Sequence, residues 1–492
     1  LYRWMNYQQF VRSKQMRASN RTRLYSQYRQ EQVQEKLSQL GIFSYMDMQY
    51  APRDTTAACD TLDVTMQATF AKPLDAELEL NVVTKSNDQT GPGASFGVTR
   101  NNVFGGGESW NVKLKGSYEW QTGGGEKSSL MNSWEMGLST SLTFPRVVFP
   151  HLGKREFDFP ATTTFRLYIN QLNRAKYYKL LSFGGNATYD FQPSRTSRHS
   201  ITPFKLTFNV LQHQSAEFKE IAEANPALYV SLRNQFIPAM EYTYTYDNAS
   251  GRRIKNPIWW QSTVTSAGNI TSLIYRAFGK PFNEEDKSLL GAPFAQFVKL
   301  NTELRHLWNI DKNNAIASRV AVGALFTYGN ATIAPYSEQF YVGGANSIRA
   351  FTVRSVGPGG YHPEEGKYSY LDQTGTFRFE ANVEYRFRIF KSFWGATFLD
   401  AGNVWLLRKD RKLLADGKEA RPNSQLRLKT FPKQIALGTG VGIRYDMDIL
   451  VFRLDFGIPL HLPYDTDRSG YYNVTGAFFK NLGIHFAIGY PF

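Results

Sequence analysis

The chain has 492 residues, a formal net charge of +15 and an aromatic content of 15%. Its mean hydropathy is −0.41, and it has no apolar run of the roughly 18 residues that a membrane-crossing helix needs, which argues against a helical membrane protein. The basic charge fits a solvated surface, a basic lumen or attraction to anionic head groups, and no basic cluster belongs to a nucleic-acid module.

Cys59 is the only cysteine, so an internal disulfide is excluded; the 7 histidines are scattered and show no metal-ligand spacing. No cofactor or metal is expected. Catalysis has no support either. There is no G-x-S-x-G segment, and the glycines at 105–107 and 357–360 read as turn glycines, because no Gly-Lys-Ser/Thr follows them.

Residues 1–72 read as a small α+β unit. Ser26 is placed to cap a helix whose apolar positions Val33, Leu37 and Leu40 share one face, with Gly41 where a terminating glycine belongs. Tyr45–Tyr50 reads as a short strand. Leu62, Val64, Met66, Ala68 and Phe70 alternate with polar residues, which predicts a half-buried second strand. No opening strand is evident, so the unit reads as incomplete. Leu1 is not an initiator methionine, and the chain is expected to begin downstream of a removed export signal and of further domains.

From about residue 76 the pattern takes period two and keeps it. Trp110, Val112, Leu114, Gly116, Tyr118 and Trp120 alternate with Asn111, Lys113, Lys115, Ser117 and Glu119. Phe377, Phe379, Ala381, Val383, Tyr385, Phe387 and Ile389 alternate with Arg378, Glu380, Asn382, Glu384, Arg386 and Arg388. In a strand these sets face opposite sides, one able to meet lipid and the other water.

About sixteen such segments occur, centred near residues 80, 96, 115, 138, 166, 184, 207, 241, 262, 300, 321, 383, 400, 440, 455 and 487. Most are long enough for the ~9–11 residues of a tilted spanning strand. An even number returns the chain to its starting side, and closure satisfies the backbone inside lipid. The fold class is therefore all-β: an antiparallel transmembrane β-barrel of about 16 strands over residues 73–492. A soluble sandwich or propeller is the competing architecture, but it has no need of strands this long with Trp and Tyr at both ends. Long connections are expected near 213–233, 268–293 and 328–375, and short ones near 145–160, 191–200 and 248–256. Residues 215–225 read as a short helix inside one long loop.

The longest loop reads Tyr341-Val342-Gly343-Gly344-Ala345-Asn346-Ser347-Ile348-Arg349-Ala350-Phe351, followed by Gly357-Pro358-Gly359-Gly360. Beyond it come Glu384, the run Phe398-Leu399-Asp400-Ala401-Gly402-Asn403-Val404-Trp405, the spaced Gly438, Gly440, Gly442, Arg444 and Tyr445, and then Arg453, Asp455 and Gly457. The chain ends in Phe492. Together these resemble the BamA/TamA superfamily of outer-membrane assembly factors, also called bacterial surface antigens. The stretch Asn102-Val103-Phe104-Gly105-Gly106-Gly107-Glu108 is similar to the family's early barrel signature, and Leu37–Phe43 is similar to the end of its last POTRA domain. The ending Gly489-Tyr490-Pro491-Phe492 looks closest to the TamL type of Bacteroidetes.

The resemblance implies a bacterial outer-membrane location, with residues 1–72 as a C-terminal POTRA-like domain in the periplasm and 328–375 as an external loop. It implies that the loop folds back into the lumen and that Arg349 meets Glu384 and Asp400 on the barrel wall, with Gly343, Gly344, Ser347 and Phe351 as the rest of the loop motif. Glu384 lies on the polar face of its strand and should point inward, whereas Asp400 shares a face with Phe398, so alternation leaves its direction open. An ordinary lumen ion pair is the plainer reading of the trio. The family motif has Gly after the Arg; Ala350 stands there instead, and puts that detail of the loop in question. Gly438, Gly440 and Gly442 share one strand face and either leave room for the loop or ease bending.

Phe486, Tyr490 and Phe492 belong to an aromatic last strand, Ile484–Phe492, of the kind that marks a barrel as a client of assembly. The first strand, near Ala76–Val83, reads as short. A weak seam between the two would expose an edge able to template an incoming strand.

The implied function is to fold and insert barrel clients. The implied partners are unfolded outer-membrane proteins, the bilayer with its lipopolysaccharide, and a TamB-like envelope protein or lipoprotein subunits. A polypeptide-translocating pore, a passive channel and an adhesive surface protein are the alternatives.

Overall fold

The computed structural model describes residues 25–38, 41–54, 61–84, 89–121, 133–148, 161–174, 178–216, 219, 234–249, 254–279, 281–282, 287–289, 292–329, 334–363, 373–409, 419, 421–447 and 450–492. Helix α1 spans Gln27–Ser38, and a two-stranded antiparallel sheet pairs β1 (Phe43–Pro52) with β2 (Leu62–Phe70). Gly41 takes a left-handed φ of 62° just after the helix, at the position where it was expected. Leu37 is buried and Val33 is exposed; Leu40 lies outside the described residues. The predicted half-buried face of β2 is corrected. Leu62, Val64, Met66 and Phe70 are all exposed, because among the described residues no element lies over that face.

Sixteen antiparallel strands follow in one sheet, each bonded to its sequence neighbour. They are β3 (Leu74–Thr84), β4 (Gln89–Asn101), β5 (Ser109–Gln121), β6 (Ser133–Phe144), β7 (Ala161–Arg174) and β8 (Tyr178–Ser194). Next come β9 (Ser197–Gln214), β10 (Gln235–Asp247), β11 (Ile258–Ala267), β12 (Phe297–Asn309) and β13 (Asn314–Thr327). The last five are β14 (Phe377–Phe390), β15 (Phe393–Trp405), β16 (Ala436–Asp446), β17 (Val451–His461) and β18 (Gly483–Ile488). Every predicted strand centre falls inside one of them.

The two faces separate as the alternation requires. On β14, Val383, Tyr385 and Ile389 are exposed, while Glu380, Asn382, Glu384 and Arg386 are buried. The same outward set continues through Leu78, Phe96, Leu114, Leu138, Leu167, Phe204, Leu300, Val441 and Phe486. An exposed apolar band around a polar interior is the arrangement that lipid outside and water inside demand.

One end of the barrel lies beside the N-terminal unit, where Arg195, between β8 and β9, reaches Glu31 of α1 at 3.5 Å. The expected long connections lie at the other, far end. A helix α2 (Asn269–Ala277) stands in one of them. Two further long connections, 406–435 and 462–482, join them there and were not anticipated. Of the helix expected at 215–225, most residues lie outside the described ones.

Two edge expectations change. The first barrel strand is not the short one: β3 has 11 residues, whereas β18 has 6. The predicted last strand does not run to Phe492, because Gly489 adopts φ 86° and Pro491 has no N–H to donate. Among the described residues β3 pairs only with β4 and β18 only with β17, so no ladder joins the first strand to the last.

Candidate functional site: the loop locked inside the lumen

Residues 340–356 turn back from the far end into the barrel, carried by an apolar contact. Phe340, Val342, Ile348, Phe351 and Val356 pack with Ile237, Ala267, Phe297 and Leu325 of the inner wall. Burial of this kind is worth roughly 25 cal/mol per Å² of apolar surface, and it adds to the hold that the charged tip supplies.

The loop closes on itself as well. Gly344 N–H donates to the Phe351 carbonyl at 2.7 Å, Arg354 N–H to the Val342 carbonyl at 3.1 Å, and Gly343 N–H to Ser347 Oγ at 3.0 Å. Gly343 needs to be glycine twice over. Its φ is 101°, and a Cβ there would run into the Thr352 carbonyl oxygen.

At the tip, Arg349 is fully buried. Its Nε donates to Asp400 Oδ2 at 2.8 Å, its Nη2 to Asp400 Oδ1 at 2.9 Å and its backbone N–H to Asp400 Oδ2 at 3.0 Å. Its Nη1 meets Glu384, and its guanidinium lies 3.6 Å from the centre of the Phe398 ring. This settles the direction of Asp400. Asp400 and Phe398 share the inner face of β15, one as counter-ion and the other as a platform. The three residues expected to form a lock are in contact.

Ser347 donates to Glu380 Oε2 at 2.6 Å. Gly344 takes φ 95° in the turn, and Phe351 is buried in the apolar cluster.

The site is larger than that trio. Arg444 reaches Glu384 at 3.0 Å and Asp455 at 2.5 Å, and Arg386 reaches Glu384 at 2.7 Å. Arg453 donates to the Ala345 carbonyl at 3.0 Å, and Arg319 to the Asn346 carbonyl at 3.2 Å. Asn382 Nδ2 bridges the Ser347 carbonyl at 2.8 Å and Asp400 Oδ1 at 2.9 Å. Glu380, Asn382, Glu384 and Arg386 are the polar face of a single strand, and that face was the signal available in the sequence. Arg319 had no comparable signal.

The glycines make room for the loop. A Cβ at Gly438 would strike the Cβ of Ala350, and one at Gly457 would lie 2.5 Å from the Arg349 carbonyl oxygen. Gly440 accommodates the Phe398 ring, and Gly442 the Arg444–Asp455 pair. Ala350 is not among the residues with positive φ, so alanine costs nothing in the backbone there; its methyl rests where Gly438 has no side chain.

A Cβ at Gly483, on β18, would lie 3.2 Å from the Arg349 carbonyl oxygen. The loop tip therefore braces the last two strands from inside. Beyond β18 the tail turns inward. The Arg386 guanidinium lies 4.2 Å from the centre of the Tyr490 ring and donates to the Phe492 carbonyl at 3.4 Å. Phe486, by contrast, points outward and is exposed.

A sixteen-strand antiparallel barrel with a far-end loop pinned inside by Arg349 defines the class. The Omp85 superfamily domain matches residues 102–492, and the chain belongs to that superfamily of outer-membrane insertion and translocation proteins. It is accordingly a protein of the bacterial outer membrane.

Among solved structures, BamA from Haemophilus ducreyi lacking POTRA domains 1–3 is similar over 92% of this chain and 76% of that chain, at 13% identity and a TM-score of 0.56. CdiB from Acinetobacter baumannii matches over 92% of this chain and 66% of its own, at 13% identity and a TM-score of 0.47. CdiB from Escherichia coli matches over 93% and 70%, at 12% identity and a TM-score of 0.45.

Proposed function

We propose that this protein folds and inserts β-barrel clients into the outer membrane and is not an enzyme. Residues 1–72 form a POTRA-like unit on the periplasmic side that receives unfolded clients, and residues 73–492 form the barrel that inserts them. The far-end loops are then external. The observation that carries the reading is the seam. β3 and β18 have no ladder between them among the described residues, and β18 is only 6 residues long. An edge strand offers unpaired N–H and C=O groups that an incoming client strand can bond by β-augmentation. The loop tip against Gly457 and Gly483 keeps that edge in shape without pairing it.

The similarity to BamA supports an assembly role, and the buried loop disfavours the alternatives of a polypeptide-translocating pore or passive channel, since it fills lumen space a substrate would cross. The membrane partner is the lipid bilayer with its lipopolysaccharide. A TamB-like envelope protein or lipoprotein subunits follow from family analogy, and the TamL-type kinship rests on the ending Gly489–Phe492 alone.

The test is reconstitution into liposomes with an unfolded barrel client. The protein is expected to raise the client's folding rate over that in empty liposomes. An unchanged rate, with a large steady single-channel conductance, would instead make it a pore.

A further inference from the structure

Helix α2 (Asn269–Ala277) lies outside the barrel wall. On β9 and β10, Phe208 and Phe236 are paired across the ladder and point outward, in the same alternation as the exposed Phe204, Leu206 and Met240. The α2 connection folds back over them. Phe294 forms a parallel bridge with Phe236, and Phe236, Phe294, Phe208 and Tyr275 pack as one apolar cluster. Tyr275 is a residue of α2, and its ring centre is 5.9 Å from that of Phe294. The helix therefore sits against the lipid-facing side of the sheet, at the far-end rim.

Its two faces differ sharply. Thr271, Ser272 and Tyr275 turn toward the protein, with Ser272 Oγ donating to Gln296 Oε1 at 2.9 Å. Ile270, Leu273, Ile274 and Phe278 form a stripe on the opposite side and are 46%, 55%, 52% and 84% exposed. Their spacing of three and four residues makes one continuous apolar face. The only charge on the helix is Arg276, in its last turn, and the first turn holds no acid.

We infer that α2 is an interfacial anchor whose Ile270–Leu273–Ile274–Phe278 face is buried among the acyl chains of the outer leaflet. The occupant is lipid because the face continues the barrel's own lipid-facing band: Val264 and Trp260, on the strand leading directly into α2, are exposed on the same outer side. A protein partner would have to displace lipid along the same wall. Arg276 is at the helix end, where a cation meets anionic phosphate groups. β11, which carries the helix, is the ninth barrel strand, so the anchor stands about half the circumference from the β3–β18 seam. It fixes the wall opposite the edge.

The test uses nitroxide labels at Ile274→Cys and Phe278→Cys, each in a Cys59→Ser background, in the full chain reconstituted into vesicles containing anionic lipid. Collision with oxygen and with a water-soluble nickel chelate is measured by power-saturation spectroscopy, with Ser469→Cys on a far-end loop as the water-exposed reference. Both helix labels are expected to collide more with oxygen than with nickel, at a depth of ~5–10 Å below the phosphates, and the reference label to show the reverse. Nickel access at 274 and 278 equal to that of the reference would place the face in water and overturn the inference. Shielding from both reagents would place it under protein and overturn it as well. Leu273→Cys supplies the same readout if either variant fails to fold.

Discussion

Arg349 has no water to fall back on, so the partners it leaves behind decide what its loss costs. Arg349→Ala would leave Asp400 buried without its guanidinium, held by Asn382, while Glu384 keeps Arg386 and Arg444. Removing one partner of a buried pair costs about 3–5 kcal/mol. The variant barrel is expected to unfold at lower temperature on semi-native gels and to lose insertion activity; unchanged mobility with full activity would sink the lock. The Gly438–Ala350 contact permits a sharper test. Gly438→Ala should destabilise by about 1–3 kcal/mol through overpacking, and Ala350→Gly in the same chain should restore most of it. Two losses that simply add would show that the methyl groups do not meet.

At the near end, Glu108 is pushed up by burial but held below the ordinary carboxylate range overall, by backbone N–H bonds including that of Gly106 and by the Arg146 guanidinium at 2.7 Å. Its stabilisation is therefore complete above the unfolded carboxylate pKa of about 4.3 and lost as pH falls through the lower folded value. Thermal denaturation of Glu108→Gln should show a lower Tm at pH 7 and a gap to wild type that narrows in acid. A gap that is constant with pH would remove the role.

The strands were the most legible elements, because a residue in a barrel wall has only two directions to face and the period-two pattern records which. Glu384 could be placed inward on that ground alone. Asp400 could not, since its neighbour Phe398 is apolar and also inward. An aromatic inside a lumen makes sense only once a guanidinium is stacked on it, and that contact spans 49 residues of sequence, from Arg349 to Phe398. The extent of the last strand was misread for a different reason. Alternation continues through Tyr490 and Phe492, but Gly489 permits a left-handed turn that the pattern does not register. Edge elements follow the same logic. Among the described residues, backbone amides facing the seam in β3 and β18 have no ladder partner, so hydrogen exchange there should run faster than in β14 and β15, which are paired on both sides. Equal protection would mean that the seam is zipped.

Across the whole molecule, the interior is divided between a loop-filled part lined by β10–β17 and the remaining wall, while among the described residues no ladder joins the edge strands. The apolar exterior, the pinned loop and the open edge together suit a protein that works on the bilayer beside it more than on a solute passing through it. Planar-bilayer recordings should therefore show small, unsteady conductance in wild type and larger conductance once Arg349→Ala frees the loop. The most direct measurement joins the seam to function. One cysteine in Leu74–Thr84 and one in Gly483–Ile488, in a Cys59→Ser background, are oxidised to tether β3 to β18, and client folding is timed in liposomes. The tethered protein is expected to fall to the rate of empty liposomes, with reduction restoring it. Full activity with the tether intact would contradict insertion through the seam.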